Sequence, residues 1–323
     1  MAKSGVLVVG NLEQDVYLAR ISGLSLVSQD GGLYNQIKVG AELIANERRF
    51  FSGGSGSNIS ATLAKWGFPV TVLAPLGQDG AGQQILRDLD GANVDTTLAR
   101  VSSEVVTPTN YHLYDHGTGR QSVIGSLADW SSVDITEIDF TDYDFKWAYV
   151  SSNGGDFDLY DKLFYKLKSA GCKILFNPSE IELGDIEKCW GLFEDVDILL
   201  VNRAEAEMIT KDTTLEGSVV KLTNFVSLAV ITGSEDGAIV SNGSSIWRSG
   251  VYQKVATVDR TGVGDAFGVG FLAKYITTGD IASAIIQGGA NASSVIGRMG
   301  GWVGAIEFDI KLDQIEVRER SLK

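Results

Sequence analysis

The chain has 323 residues, 44% of them hydrophobic and 21% charged, with a formal net charge of −14. That length and mixture suit a large packed core and exclude a disordered chain. The acidic balance argues against nucleic acid or an anionic membrane as partner, since either would select a basic face.

The apolar run within M-A-K-S-G-V-L-V-V-G is too short for a signal peptide. Run 6–10 is continuous and closed by glycine, the pattern of a strand buried on both faces. Residues 16–52 are irregular, with a polar middle, S-Q-D-G-G. The spacing predicts a helix over 58–66 stopped by Gly67, a strand over 70–77 and a helix over 82–89. Two strands, 105–115 and 119–127, flank D-H-G-T-G as a hairpin turn. Strands follow at 147–151, 173–177, 198–201, 229–232 and 238–240, and helices at 158–170, 203–209, 265–276 and 281–298. The alternation predicts βαβ units, hence an α/β chain with a mainly parallel sheet in a single domain over 1–323. The interruptions near 16–50 and 100–127 predict a small β-rich lid. The final R-E-R-S-L-K reads as a solvated tail. The apolar runs, such as 198–201, are strand-sized rather than membrane-spanning. Cys172 and Cys189 form no C-x-x-C and read as two reduced thiols of a cytoplasmic protein.

The stretch V-D-R-T-G-V-G-D-A-F-G-V-G-F (258–271) carries the clearest chemistry. Gly262 and Gly264 allow a tight turn and close approach to bare backbone, and the N-terminus of the following helix then faces an anion. In so acidic a chain a phosphate is held by such amides and a metal ion rather than by a lysine cluster. No G-x-x-x-x-G-K-[ST] occurs, and Gly262, Gly264 and Gly268 miss the dinucleotide spacing, which disfavours a nicotinamide dehydrogenase. Asp265 stands at the mouth of this cradle. It fits either a helix cap or a general base for an attacking hydroxyl, as phosphoryl transfer requires.

Several motifs together resemble the ribokinase-like, or PfkB-type, carbohydrate kinases. D-R-T-G-V-G-D-A-F (259–267) is similar to that family's D-T-x-G-A-G-D signature, with Arg260 and Val263 replacing common threonine and alanine. F-S-G-G-S-G-S-N-I-S-A-T-L-A-K-W-G (51–67) resembles its first signature. L-G-Q-D-G-A-G (76–82), V-N-R-A-E (201–205) and V-I-T-G-S-E-D-G (230–237) match its other conserved turns in order. The resemblance implies a three-layer α/β/α sandwich with a lid, and ATP with Mg²⁺ as cofactors. It implies Asp265 as general base and the amides of Gly262, Val263 and Gly264 as the anion hole. Asn202 and Glu205 would organise Mg²⁺ through water, although N-x-x-E is also a capping box. Thr232 and Gly233 would lie near the ATP phosphates and Asn291 near adenine, where A-N-A-S-S equally suits helix packing. Asp259, with carbonyls near Ser294 and Gly297, is a candidate site for a monovalent cation such as K⁺.

On the acceptor side the resemblance implies Asp15, Gly53, Gly54 and Asn58, although Asp15 also suits a loop acid and Asn58 a cap. The chain departs from ribose-type members at Glu13, where asparagine is common, and at Ser55, where lysine is common. The long lid is similar to that of nucleoside-type members, whose acceptor would want a stacking ring: Tyr17, Tyr34, Phe50, Phe51, Tyr111 or Trp130. His112 and His116 share a strand with no third metal ligand and read as lid or surface positions. The expectation is an ATP-dependent kinase acting on the hydroxymethyl group of a sugar. The alternatives are a nucleoside kinase and a non-catalytic sugar-binding homologue. A lid edge covered by a second copy predicts a homodimer.

Overall fold

The structure is a computed structural model that describes residues 5–115, 120–233, 236–251, 255–309 and 316–322. The chain opens with β1 (Gly5–Val9), β2 (Glu13–Ser22), the hairpin β3 (Leu24–Gln29) and β4 (Gly32–Ile37), and β5 (Ile44–Gly53). Then come α1 (Gly54–Lys65), β6 (Val70–Leu73), β7 (Pro75–Gly77), α2 (Gly80–Gly91), β8 (Arg100–Ser102), β9 (Thr109–Asp115) and β10 (Arg120–Ile124). The middle holds β11 (Phe145–Ser151), α3 (Phe157–Ser169), β12 (Lys173–Asn177), α4 (Glu180–Leu183), α5 (Ile186–Phe193), β13 (Ile198–Asn202), α6 (Arg203–Thr210) and α7 (Leu215–Leu222). The chain continues through β14 (Leu228–Thr232), β15 (Ala238–Ser241), β16 (Ser245–Ser249), α8 (Val263–Thr278), α9 (Ile281–Val295) and β17 (Val317–Ser321).

Nine strands form the central sheet in the order β17-β16-β15-β14-β13-β12-β11-β1-β6. The pairings from β6 through β14 are parallel, and β15, β16 and β17 add antiparallel. The apolar runs at β1, β6 and β11–β14 are buried on both faces because helices cover both sides, which makes the α/β/α sandwich. Helices α1, α2, α8 and α9 pack together, and α3 to α7 pack in a second group. Gly270 and Gly288 let α8 and α9 approach: a Cβ on Gly270 would fall 2.8 Å from the Gly288 Cα.

The lid is a four-stranded sheet in the order β10-β9-β2-β5, with the β3–β4 hairpin as a separate pair. The expected lid limits need correction. Residues 100–102 pair with β7 instead, because the backbone of the 70–77 run turns after Leu73 and leaves the central sheet. The irregular reading of 16–52 also fails, since four strands occupy it. The side chains of β3, β4 and most of β5 are exposed or half-buried, so these three show no apolar alternation. The expected solvated tail is the edge strand β17, paired antiparallel to β16 while its side chains stay mostly exposed. Among the described residues no helix is long and apolar enough to cross a membrane.

Candidate active site

The C-terminal ends of the parallel strands open into a cleft of about 330 Å³. Of the expected site residues, Gly54, Asn202, Glu205, Thr232, Gly262, Gly264 and Asp265 line it together. Asp15 and Asn58 lie buried at its wall.

Gly262 caps α8 in the left-handed region, φ 71°. A Cβ there would fall 2.8 Å from the Gly301 Cα, so only glycine fits. Gly264 is exposed and a Cβ on it would meet nothing, which leaves its backbone accessible to a ligand. The Val263 N–H turns toward the Arg260 carbonyl at 3.4 Å.

Asp265 sits in the first turn of α8, partly accessible at the cleft floor. Surrounding protein strips its water and lifts its carboxyl above the usual aspartate range. The Asn58 amide, donating from Nδ2 to Oδ2 at 2.8 Å, opposes the rise, and the charge of Asp15 adds to it. Asn58 therefore reaches across from α1 to hold the carboxylate, rather than capping its own helix. Its Oδ1 is buried and unpartnered.

Glu13, Asp15 and Tyr17 alternate along β2 and so share one face. Asp15 is 1% exposed. Its Oδ1 accepts from Asn110 Nδ2 at 3.2 Å and lies 3.1 Å from His112 Nε2. Its Oδ2 has no partner. Gly53 has no Cβ because one would fall 2.0 Å from that oxygen. Glu13 lines the cleft and accepts from Asn11 Nδ2 at 3.0 Å and Asn110 Nδ2 at 2.6 Å. Burial raises its carboxyl, those amides oppose the rise, and Asp15 and Asp265 reinforce it.

Behind these residues the lid is clamped to the loop before α8. His112 stacks on Tyr17 at 4.2 Å, and its Nδ1 lies 3.2 Å from Gln121 Oε1. Gln121 Nε2 donates to Asp259 Oδ1 at 3.1 Å and to Thr261 Oγ1 at 3.0 Å. Tyr17 donates its hydroxyl to Asp259 Oδ2 at 2.5 Å. With the N–H groups of Thr261 and Gly300, four protein donors occupy the Asp259 carboxylate. Those bonds make Asp259 a latch between the lid and the loop before α8. His112 is thus an interior lid contact; His116 lies outside the described residues.

Asn202 and Glu205 form a reciprocal capping box on α6: Glu205 N–H to Asn202 Oδ1, 3.0 Å, and Asn202 N–H to Glu205 Oε2, 2.7 Å. Burial lifts the Glu205 carboxyl, the Asn202 amide opposes the rise, and the charges of Glu180 and Glu182 add to it. Asn202 and Thr232 are register partners at the ends of β13 and β14. The Gly233 N–H bonds the Gly237 carbonyl at 2.7 Å, which shapes the loop after β14. Asn291 is the clear departure from expectation. Its amide donates to the Ala266 carbonyl at 2.8 Å and accepts from Ile306 N–H at 3.1 Å, fully buried, so it packs α8 instead of facing the cleft.

Asn11, Asn110 and Gln121 were not singled out from the sequence. The i, i+2 spacing of Glu13 and Asp15 would have placed both on one strand face. Asn110 and Gln121 needed the lid pairing to bring them in.

The chain matches the model of the pfkB family carbohydrate kinases over residues 34–305. It is 26% identical over 298 residues to the ATP-dependent ribose-1-phosphate kinase of Halopiger xanaduensis, covering 91% of this chain and 93% of that protein. It is 25% identical over 257 residues to the fructoselysine 6-kinase of Escherichia coli, covering 78% of this chain and 92% of that one. The crystal structure of Methanocaldococcus jannaschii nucleoside kinase, an archaeal member of the ribokinase family, superposes with a TM-score of 0.78. It is 18% identical, and the match covers 96% of this chain and 97% of that one. The sandwich is that of ribokinase-fold proteins. The chain belongs to the pfkB family of carbohydrate kinases. It is accordingly an ATP-dependent kinase.

Proposed function

We propose that the chain transfers the γ-phosphoryl group of ATP to a hydroxymethyl oxygen of a small sugar. The observation that carries this reading is the Asp265 carboxylate. It is lifted by burial, aimed by Asn58, and set in the first turn of a helix whose N-terminal backbone lines the cleft. Asp265 takes the hydroxyl proton as the oxygen attacks phosphorus. The N–H groups at Gly262 and Gly264, joined by Val263 on release from Arg260, stabilise the transferring charge. Thr232 and the loop at Gly233 border the phosphates.

Among the described residues no cluster of three or more acidic, histidine or cysteine ligands stands ready for a metal. Glu205 spends Oε2 on its cap and keeps Oε1, which suits a hard cation held largely through water. Magnesium, when bound there with Asn202, supplies positive charge to the phosphate oxygens. Among the described residues lining the cleft none is aromatic, which favours a sugar over a nucleoside base that needs stacking. The lid adds a homodimer to this reading. Phe50, Tyr111 and Ile124 are 56%, 45% and 60% exposed in one register row of the lid, on either side of buried Val16. Sedimentation of Tyr111→Glu should show monomer where the parent chain shows dimer.

The test of the activity is Asp265→Asn. ADP release with a sugar acceptor should fall roughly 10²- to 10⁴-fold while ATP still binds. Full turnover in that variant would remove Asp265 from the role of base.

A further inference from the structure

Three carboxylates meet on the acceptor side of the cleft. Glu13 and Asp265 line it and Asp15 stands at its wall, close enough that the charges of Asp15 and Asp265 both act on Glu13. Among the described residues lining this cleft there is no lysine or arginine. The amides of Asn11 and Asn110 take one position on each Glu13 oxygen, and none of the described ion pairs includes Glu13. His112 faces Asp15 through Oδ1 alone.

A second observation is independent of charge. Two buried atoms directly behind lining residues, Asp15 Oδ2 at Gly53 next to Gly54 and Asn58 Oδ1 on the amide that bonds Asp265, have no partner among the described residues, and their residues are 1% and 4% exposed. Both are acceptors. Buried polar atoms in folded proteins are nearly always satisfied, so an unfilled pair of acceptors calls for a ligand that donates. Hydroxyl and ammonium groups donate. Phosphate and carboxylate groups only accept, and here they would meet like charge in a partly desolvated site.

We propose that the acceptor is a polyhydroxylated molecule carrying no anionic group, and that Glu13 sets this selectivity by excluding phosphorylated sugars and sugar acids. This rests on the kinase reading above and narrows its substrate class. The donor phosphates do not conflict with it, because they belong at the open amides of α8 on the other side of Asp265. A unit anion within several ångströms of such carboxylates, at a dielectric between water and dry protein, is disfavoured by about 10²-fold or more in affinity.

The experiment compares matched skeletons that differ in charge: glucose, glucosamine, glucose 1-phosphate and gluconate, then ribose, ribose 1-phosphate and ribonate. Binding is measured by calorimetry without ATP and turnover by ADP release, for the parent chain and for Glu13→Gln. On at least one skeleton the neutral or ammonium form should bind about 10²-fold more tightly than its anionic partner. Glu13→Gln should narrow that gap to about tenfold or less with an unchanged fold by thermal melting. A sugar phosphate or sugar acid that outbinds its neutral parent overturns the proposal. So does an unchanged gap in the variant, or a neutral set that fails to bind at all. Binding in the expected order without ADP release would instead sink the kinase assignment and leave the selectivity standing.

Discussion

Two neighbours act on the Asp265 carboxylate in opposite senses. Desolvation raises it, Asn58 lowers it through a 2.8 Å hydrogen bond, and Asp15 raises it further by repulsion. A general base works deprotonated, so activity climbs with pH through its pKa. Asn58→Ala removes the lowering contact. The acid limb of its kcat profile should therefore move to higher pH, with kcat at the plateau down by about tenfold or more. Asp15→Asn removes the repulsion, and its acid limb should move to lower pH under saturating acceptor. Shifts in the same direction for both variants would contradict this electrostatic account. The two positions were legible from residue order: G-x-G-D marked Asp265, the proposed base, and G-G-x-x-x-N marked Asn58. The partner of Asn58 was not, because 207 residues separate it from Asp265.

At the scale of elements, glycines decide where the catalytic helix sits. A Cβ on Gly268 would fall 2.1 Å from the Tyr149 hydroxyl and 2.6 Å from Leu200 Cδ2, so α8 rests directly on β11 and β13. Gly268→Ala should cost about 1–3 kcal/mol by overpacking, despite the better helix propensity of alanine. Thermal melting would show it as a drop of several degrees, and a neutral or raised melting temperature would show that α8 can shift freely. Asp79 plays a comparable part at α2. Its carboxylate accepts from the Gly82 and Thr107 N–H groups and the Thr107 hydroxyl, which hold it below the usual range against its desolvation. The buried strands could be read because parallel sheets between helices demand unbroken apolar runs. Of the lid strands β9 and β10 could be read too, but β2 to β5, β16 and β17 could not. Their pattern is set by edges and partners far along the chain, and polar stretches such as 317–321 look alike as tail or strand.

For the molecule as a whole, the Tyr17–Asp259–Gln121 contacts tie the lid to the loop before α8. Tyr17→Phe keeps the ring stack on His112 and loses the hydroxyl bond. Amide hydrogen exchange over 109–115 should quicken in that variant, while exchange in β12 and β13 stays as it was. Equal exchange in both proteins would mean that the latch is incidental. The strand order has a further consequence, in time rather than space. From β11 to β17 each strand lies beside its predecessor in the sheet, so a ribosome delivering the chain in order lets each one add to a finished edge. Asp265, the proposed base, arrives only with α8, and the Asn58 amide that bonds it has by then waited 207 residues in α1. A nascent chain can thus build its lid and most of its sheet early, yet it stays chemically silent until about the last fifth emerges.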